Sequence, residues 1–214
     1  MSQSPPESIA DQCPDLLAEQ DLPAPPQQER SRLKRQKLLD AALLLFHERG
    51  YEATSMEDIA KQSGVAVGSF YQHFRSKQQV LLVLMDGLLH QLNTIELQLG
   101  TGDPIATLEH IVRKGLTVDW SHAGVYRAWR EAIVQDPELN ELNRRVTAWS
   151  MARLVVAMKE IQKLPNARQS LDIEMTAWVL DLMFWQLAGT PSDNLDAVVR
   201  VVTDLLVHAL FKDK

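Results

Sequence analysis

Between Ala66 and Lys77 the chain sets Val67, Gly68, Ser69, Tyr71, Gln72 and His73 around a short helical stretch whose Phe70 and Phe74 face inward. These side chains suit hydrogen bonding to a nucleic-acid duplex. A Gln amide donates and accepts towards adenine, Ser and Tyr hydroxyls bond phosphate, and Gly68 permits close approach. Lys77 follows in the first turn of the next helix, where its charge and the neighbouring backbone N–H groups favour an anion. Arg32 and Lys34, in the basic run Arg30 to Lys37, add candidate phosphate contacts, although that run also reads as a solvated helix face. Catalytic chemistry has less to work with. His90, His110 and His122 lack an i, i+4 partner for a metal, and there is no HExxH, Gly-rich phosphate loop or nucleophile elbow. A lone Cys13 makes neither an intramolecular disulfide nor a multi-cysteine zinc site and suits a reducing cytoplasm. No enzyme, metal or cofactor is expected.

Helices must position this set. From residue 31 onward the apolar period is helical and no strand is expected. The first helix should run from about Ser31 to Arg49, stopped by Gly50. Thr54 and Glu57 read as a capping box opening a second helix to about Gln62. Ser63-Gly64 makes a tight turn, and a third helix follows from about Ala66 to His73. Ser76 caps a long fourth helix whose apolar positions continue to Leu99, about 35 Å at 1.5 Å per residue. Asp103-Pro104, Asp136-Pro137 and Thr190-Pro191 place proline just inside a helix start. Further helices are expected near 104–119, 122–134, 137–163, 168–188 and 192–211. The fold class is therefore all-α with about nine helices, and the first three form a helix-turn-helix arrangement.

The spaced run Ala41-Ala42, Phe46, Gly50-Tyr51, Thr54-Ser55-Met56, Ile59-Ala60, Gly64 to Phe74, Ser76-Lys77 and Leu81 closely resembles the DNA-binding domain of the tetracycline-repressor (TetR) family. The resemblance covers about residues 31–82; the rest of the chain matches in helix number and length only. It implies a homodimeric, usually repressing transcription factor with a C-terminal domain that binds an effector and dimerises. It also implies phosphate contacts at Thr54, Ser69, Tyr71 and Lys77, and a base-reading surface near Val67, Gly68, Gln72 and His73. Ala66 departs from the Ser or Thr often found there and removes a hydroxyl.

All five tryptophans (Trp120, Trp129, Trp149, Trp178, Trp185) fall in the C-terminal part. Trp178 and Trp185 share a helix face with Leu182 between them. Such stripes also suit plain core, but five together point to an aromatic cavity for a small hydrophobic or aromatic effector. Trp129, Trp149, Trp178 and Trp185 are its candidate walls. Among the polar candidates His122, Arg130, Glu131 and Asp181, Asp181 stands out, because burial beside the stripe demands a partner or a cationic ligand. Met175 and Val179 on one late helix, with Val198, Val202, Leu205 and Leu206 on the last, form the candidate dimer interface. A two-fold four-helix bundle of that kind would match a palindromic double-stranded operator. Two other readings are a constitutive DNA binder with a packed body, and a helical ligand-binding or catalytic protein with a vestigial DNA domain.

Charge separates along the 214 residues. Residues 1–29 hold six acids, no Lys or Arg and six of the ten prolines, and read as a disordered acidic tail. Residues 30–77, the expected DNA-binding domain, carry nine basic and five acidic side chains; residues 78–214, the expected ligand-binding and dimerisation domain, have a net charge of −4. The whole-chain charge of −6 hides a basic segment. No apolar run approaches the ~20 residues of a membrane-spanning helix, so no membrane partner is expected.

Overall fold

A computed structural model describes Gln20, residues 22–97 and residues 103–212. Nine α-helices occupy these residues: α1 (Glu29–Arg49), α2 (Met56–Ser63), α3 (Val67–His73), α4 (Lys77–Asn93), α5 (Pro104–Ser121), α6 (Ala123–Gln135), α7 (Pro137–Gln162), α8 (Ile173–Ala188) and α9 (Leu195–Leu210). Among the described residues the extended pairing is a single antiparallel bridge between Ala167 and Phe211. The expected tail falls largely outside the described residues, as does Leu99.

The helix ends show which local signals won. The α2 cap is Ser55, one residue later than expected. Its Oγ accepts from the Asp58 backbone N–H at 3.0 Å, and Asp58 returns the bond to the Ser55 N–H at 3.1 Å. Gly64, at φ 67°, closes α2 in the left-handed conformation that L side chains rarely adopt. Helix α4 ends at Asn93, short of Leu99, because Arg153 reaches across from α7. Its guanidinium donates to the Leu92 carbonyl at 3.0 Å and the Ile95 carbonyl at 2.7 Å, satisfying acceptors a helix end leaves open.

Thr190-Pro191 does not open a helix. Thr190 folds back onto α8, donating its hydroxyl to the Gln186 carbonyl, and Asn194 caps α9 by accepting from the Ala197 N–H at 3.0 Å. Helix α8 starts at Ile173 rather than near 168. The preceding link is tied to the C-terminal end instead: Arg168 donates its N–H to the Leu210 carbonyl and its Nε to the Phe211 carbonyl, and the Lys212 N–H bonds to the Asn166 carbonyl.

By contacts the chain divides into two compact units, whose described parts are Gln20 and residues 22–90 with 122–143, and residues 91–97 and 103–121 with 144–212. The junctions between them fall inside α4, between α5 and α6, and inside α7, and the first unit includes α6, which packs on α1. Gly124 makes that crossing possible: a Cβ there would meet the Leu43 carbonyl oxygen and lie 2.9 Å from the His47 nitrogen. The first unit encloses Leu38, Phe46, Ile59, Phe70, Phe74, Leu81, Met85 and Trp129. Each such side chain contributes roughly 1.5–3 kcal/mol on burial. In the second unit α5 packs on α8 and α9, with Leu108, Val112, Leu116, Leu180, Val199, Val202 and Leu206 in one cluster.

Candidate nucleic-acid interface and apolar body

Phe70 and Phe74 anchor α3, their ring centroids 5.9 Å apart. Burying these two positions leaves Val67, Gly68, Tyr71 and Gln72 exposed on one side of the helix, where their spacing places them together. Ser69 is half-buried at the edge of that face. Arg32 is exposed and pairs with Glu29 at 3.7 Å, a solvated contact of little energetic weight; Lys34 is half-buried.

Two expected contact residues are turned inward. Thr54 is only 1% exposed and donates its hydroxyl to the Gly50 carbonyl at 2.7 Å, so it braces the α1–α2 link and does not reach a phosphate. The exposed hydroxyl there is that of Ser55. His73 is 8% exposed and packs beside Phe74, so it is removed from the base-reading set. Desolvation lowers its pKa below the ordinary histidine value, with Arg35 and Lys34 adding to the effect.

Lys77 is partly engaged within the protein. Its ammonium donates to the Tyr51 carbonyl at 2.7 Å and lies 4.2 Å from the centre of the Tyr51 ring. One of three donors is thereby used, and two remain for an anion. Burial, followed by the charges of Glu52 and Asp136, pushes the Tyr51 hydroxyl up to about 12, so it stays protonated.

The link carrying Tyr51 is also held from α6. Glu131 accepts the Tyr51 N–H at 2.6 Å and the Glu52 N–H at 3.2 Å. Arg127, one turn earlier, donates to the His47 carbonyl at 2.7 Å, an acceptor in the last turn of α1. Glu131, one of the polar candidates of the sequence and also readable there as a paired charge, braces the helix-turn-helix. Gly50 in the same link has φ 88°, which L side chains rarely adopt, and a Cβ there would also crowd the Glu131 carboxylate.

The aromatic body separates into unlike parts. Trp129 is fully enclosed in the first unit and donates its Nε1 to Asn143 at 2.9 Å; it is core, not a cavity wall. Trp149 is buried in the second unit with the Arg153 guanidinium 4.9 Å from its ring centre. Asp181, 4% exposed, hydrogen-bonds Ser150, the neighbour of Trp149; desolvation raises its pKa, and Ser150 opposes the shift. Among the described residues, Trp149 Nε1 and Asp181 Oδ1 are buried without a hydrogen-bond partner. Trp185 is half-buried.

Trp178, 48% exposed, lies on the outer face of α8 with Met175, Val179 and Leu182, and so does not wall an enclosed cavity as expected. Val201 and Leu205 are exposed on α9. Two expected interface residues, Val202 and Leu206, point instead into the core of the second unit, and Val198 is half-buried against it. The helical period identified α9 as amphipathic but assigned these two to the wrong side.

A short, exposed second helix in a helix-turn-helix is the arrangement that DNA-binding proteins place in the major groove. Comparison with known proteins gives the family. Residues 38–84 match the model of bacterial regulatory proteins of the tetR family. The chain is 33% identical over 192 residues to the HTH-type transcriptional repressor KstR2 of Rhodococcus jostii strain RHA1, covering 83% of this chain and 91% of that one. It is 26% identical over 208 residues to the transcriptional repressor KstR of Mycolicibacterium smegmatis, covering 87% and 93%. The solved structure of the ketosteroid transcriptional regulator KstR2 of Mycobacterium tuberculosis superposes with a TM-score of 0.65 at 20% identity, over 89% of this chain and 99% of that one. The chain belongs to the TetR family of transcriptional regulators. No helix among the described residues is long and apolar enough to cross a membrane.

Proposed function

We propose that the protein is a homodimeric repressor that binds a palindromic operator and is released by a small apolar effector. The observation carrying this reading is the α3 face formed by Val67, Gly68, Tyr71 and Gln72, exposed within the segment that matches the family. Residues 30–77 supply DNA contacts from Arg32, Lys34, Ser69, Tyr71, Gln72 and Lys77. The apolar face of α8 and α9 (Met175, Trp178, Val179, Leu182, Val201, Leu205) supports the dimer, since a single chain leaves these side chains in water. Repression is supported by the named repressors among its relatives.

The effector acts in the 78–214 region by stabilising a conformer whose two reading helices no longer fit successive major grooves. It shifts the equilibrium by no more than its differential affinity for the two states. Helices α4 and α7 carry the coupling, because each continues across a boundary between the units. Trp149 and Asp181 anchor the polar end of the effector, which presents both a hydrogen-bond acceptor and a donor. A relative named as a ketosteroid regulator makes ketosteroids the first series to test.

Selection of bound fragments from random DNA tests the reading. A two-fold symmetric site with half-sites spaced by a whole number of helical turns is expected. An asymmetric site, or no enrichment at low salt, overturns it. Ketosteroids are then added to the protein–operator complex; weakened binding supports the effector assignment.

A further inference from the structure

The chain that precedes α1 is held against the end of the reading helix. Arg35 on α1 donates Nη2 to the Pro23 carbonyl at 3.1 Å, and its guanidinium lies 5.3 Å from the centre of the Phe74 ring. Pro23 lines a depression of about 170 Å³ with Tyr71, Gln72, His73, Arg75 and Gln79. Residues 22–26 have no helix or strand, and Pro23, Pro25 and Pro26 stiffen them by fixing φ. The strap therefore sets Pro23, to which the upstream chain is joined, beside Tyr71 and Gln72, the exposed residues of α3.

What it delivers is opposite in sign to its surroundings. Residues 1–21 carry Glu7, Asp11, Asp15, Glu19 and Asp21 and no Lys or Arg, whereas residues 30–77 have a net charge of +4. Twenty-one residues reach at most ~70 Å, against ~10 Å for the seven-residue α3. The tether keeps these carboxylates at a high effective concentration over a surface that would bind phosphates. We propose that residues 1–21 dock on the exposed face of α3 and the adjoining basic residues and compete there with DNA. The inference rests on the assignment of α3 as the DNA-reading helix. The competition penalises non-specific duplex most, because that binding is dominated by phosphate contacts, whereas base contacts favour the operator.

Two measurements on the full chain test this. The first uses the quintuple variant Glu7→Gln, Asp11→Asn, Asp15→Asn, Glu19→Gln, Asp21→Asn. Its affinity for a random-sequence duplex at low salt should rise on the order of tenfold, with the gain fading as salt screens the charges. The second places a spin label on Cys13, the single cysteine. The label should broaden the amide resonances of Gly68, Tyr71 and Gln72 in the free protein, and added duplex should restore them. Unchanged or weakened duplex affinity in the variant overturns the competition, as does broadening that DNA leaves untouched. Broadening confined to other surfaces, including a capture site for a second protein, overturns the docking. If neither chain binds any duplex, the DNA reading itself fails; broadening at α3 in the free protein would then show that docking holds without it.

Discussion

Gln72 and Lys77 lie close in sequence, and the proposed function gives them different work. Gln72 is an exposed amide on α3, so if that face reads bases Gln72→Ala should cost roughly 1–3 kcal/mol on the selected site and little on random duplex. Competition binding with both DNAs measures the difference; equal losses would move Gln72 to a backbone contact. Lys77→Ala should weaken binding to every duplex and reduce the salt slope by about one unit. It should also lower the thermal midpoint without DNA, since the Tyr51 carbonyl loses its donor. Asp181 predicts a pH dependence. Its folded pKa is raised, so the folded state holds the proton more tightly than the unfolded one. Stability is then fully present below the ordinary aspartate value and falls as pH rises through the raised one. Asp181→Asn should remove that loss, flattening the stability profile above pH 4, as denaturant midpoints across pH would record. At this scale the sequence conveyed residue chemistry better than orientation. Thr54 and His73 have suitable groups, yet both are buried: Thr54 bonds the Gly50 carbonyl and His73 packs beside Phe74. Periodicity around a seven-residue helix does not separate its edge from its buried side.

The helices themselves were largely legible, because apolar spacing, Asp-Pro starts and glycine stops are local signals. Their errors lie where a distant partner sets the boundary. Arg153 ends α4, and pairing of residues 166–168 with 210–212 delays α8; both span more than forty residues. The brace from α6 was hidden for the same reason, since Arg127 and Glu131 sit about eighty residues from the backbone groups they hold. The α1–α6 crossing is the sharpest test at this scale. Gly124→Ala puts a methyl group into the α1 backbone, which cannot yield as a flexible side chain would. It should cost at least 1–3 kcal/mol, the range of an overpacked core. Chemical denaturation measures this, and an unchanged midpoint would mean that α6 stands further from α1.

For the molecule as a whole, charge and apolar surface carried different amounts of information. The uneven charge is visible in sequence because it needs only counting. The split of α9 into a buried Val202–Leu206 side and an exposed Val201–Leu205 side required the second unit's packing to be known. If the exposed side forms the proposed dimer, Leu205→Glu should leave the fold intact but convert that dimer to monomer, read by sedimentation, with a parallel loss of operator binding. A monomer that still bound the full site tightly would contradict the two-fold arrangement. Trp178 also has an optical consequence. It is the most exposed of the five indoles, on the same outer face as Met175 and Leu182. Its emission should shift to the red when the protein is diluted through its association constant. With the proposed dimer, Trp178 would serve as a built-in fluorescent gauge of self-association, readable without dye or label, and Trp178→Phe should silence it.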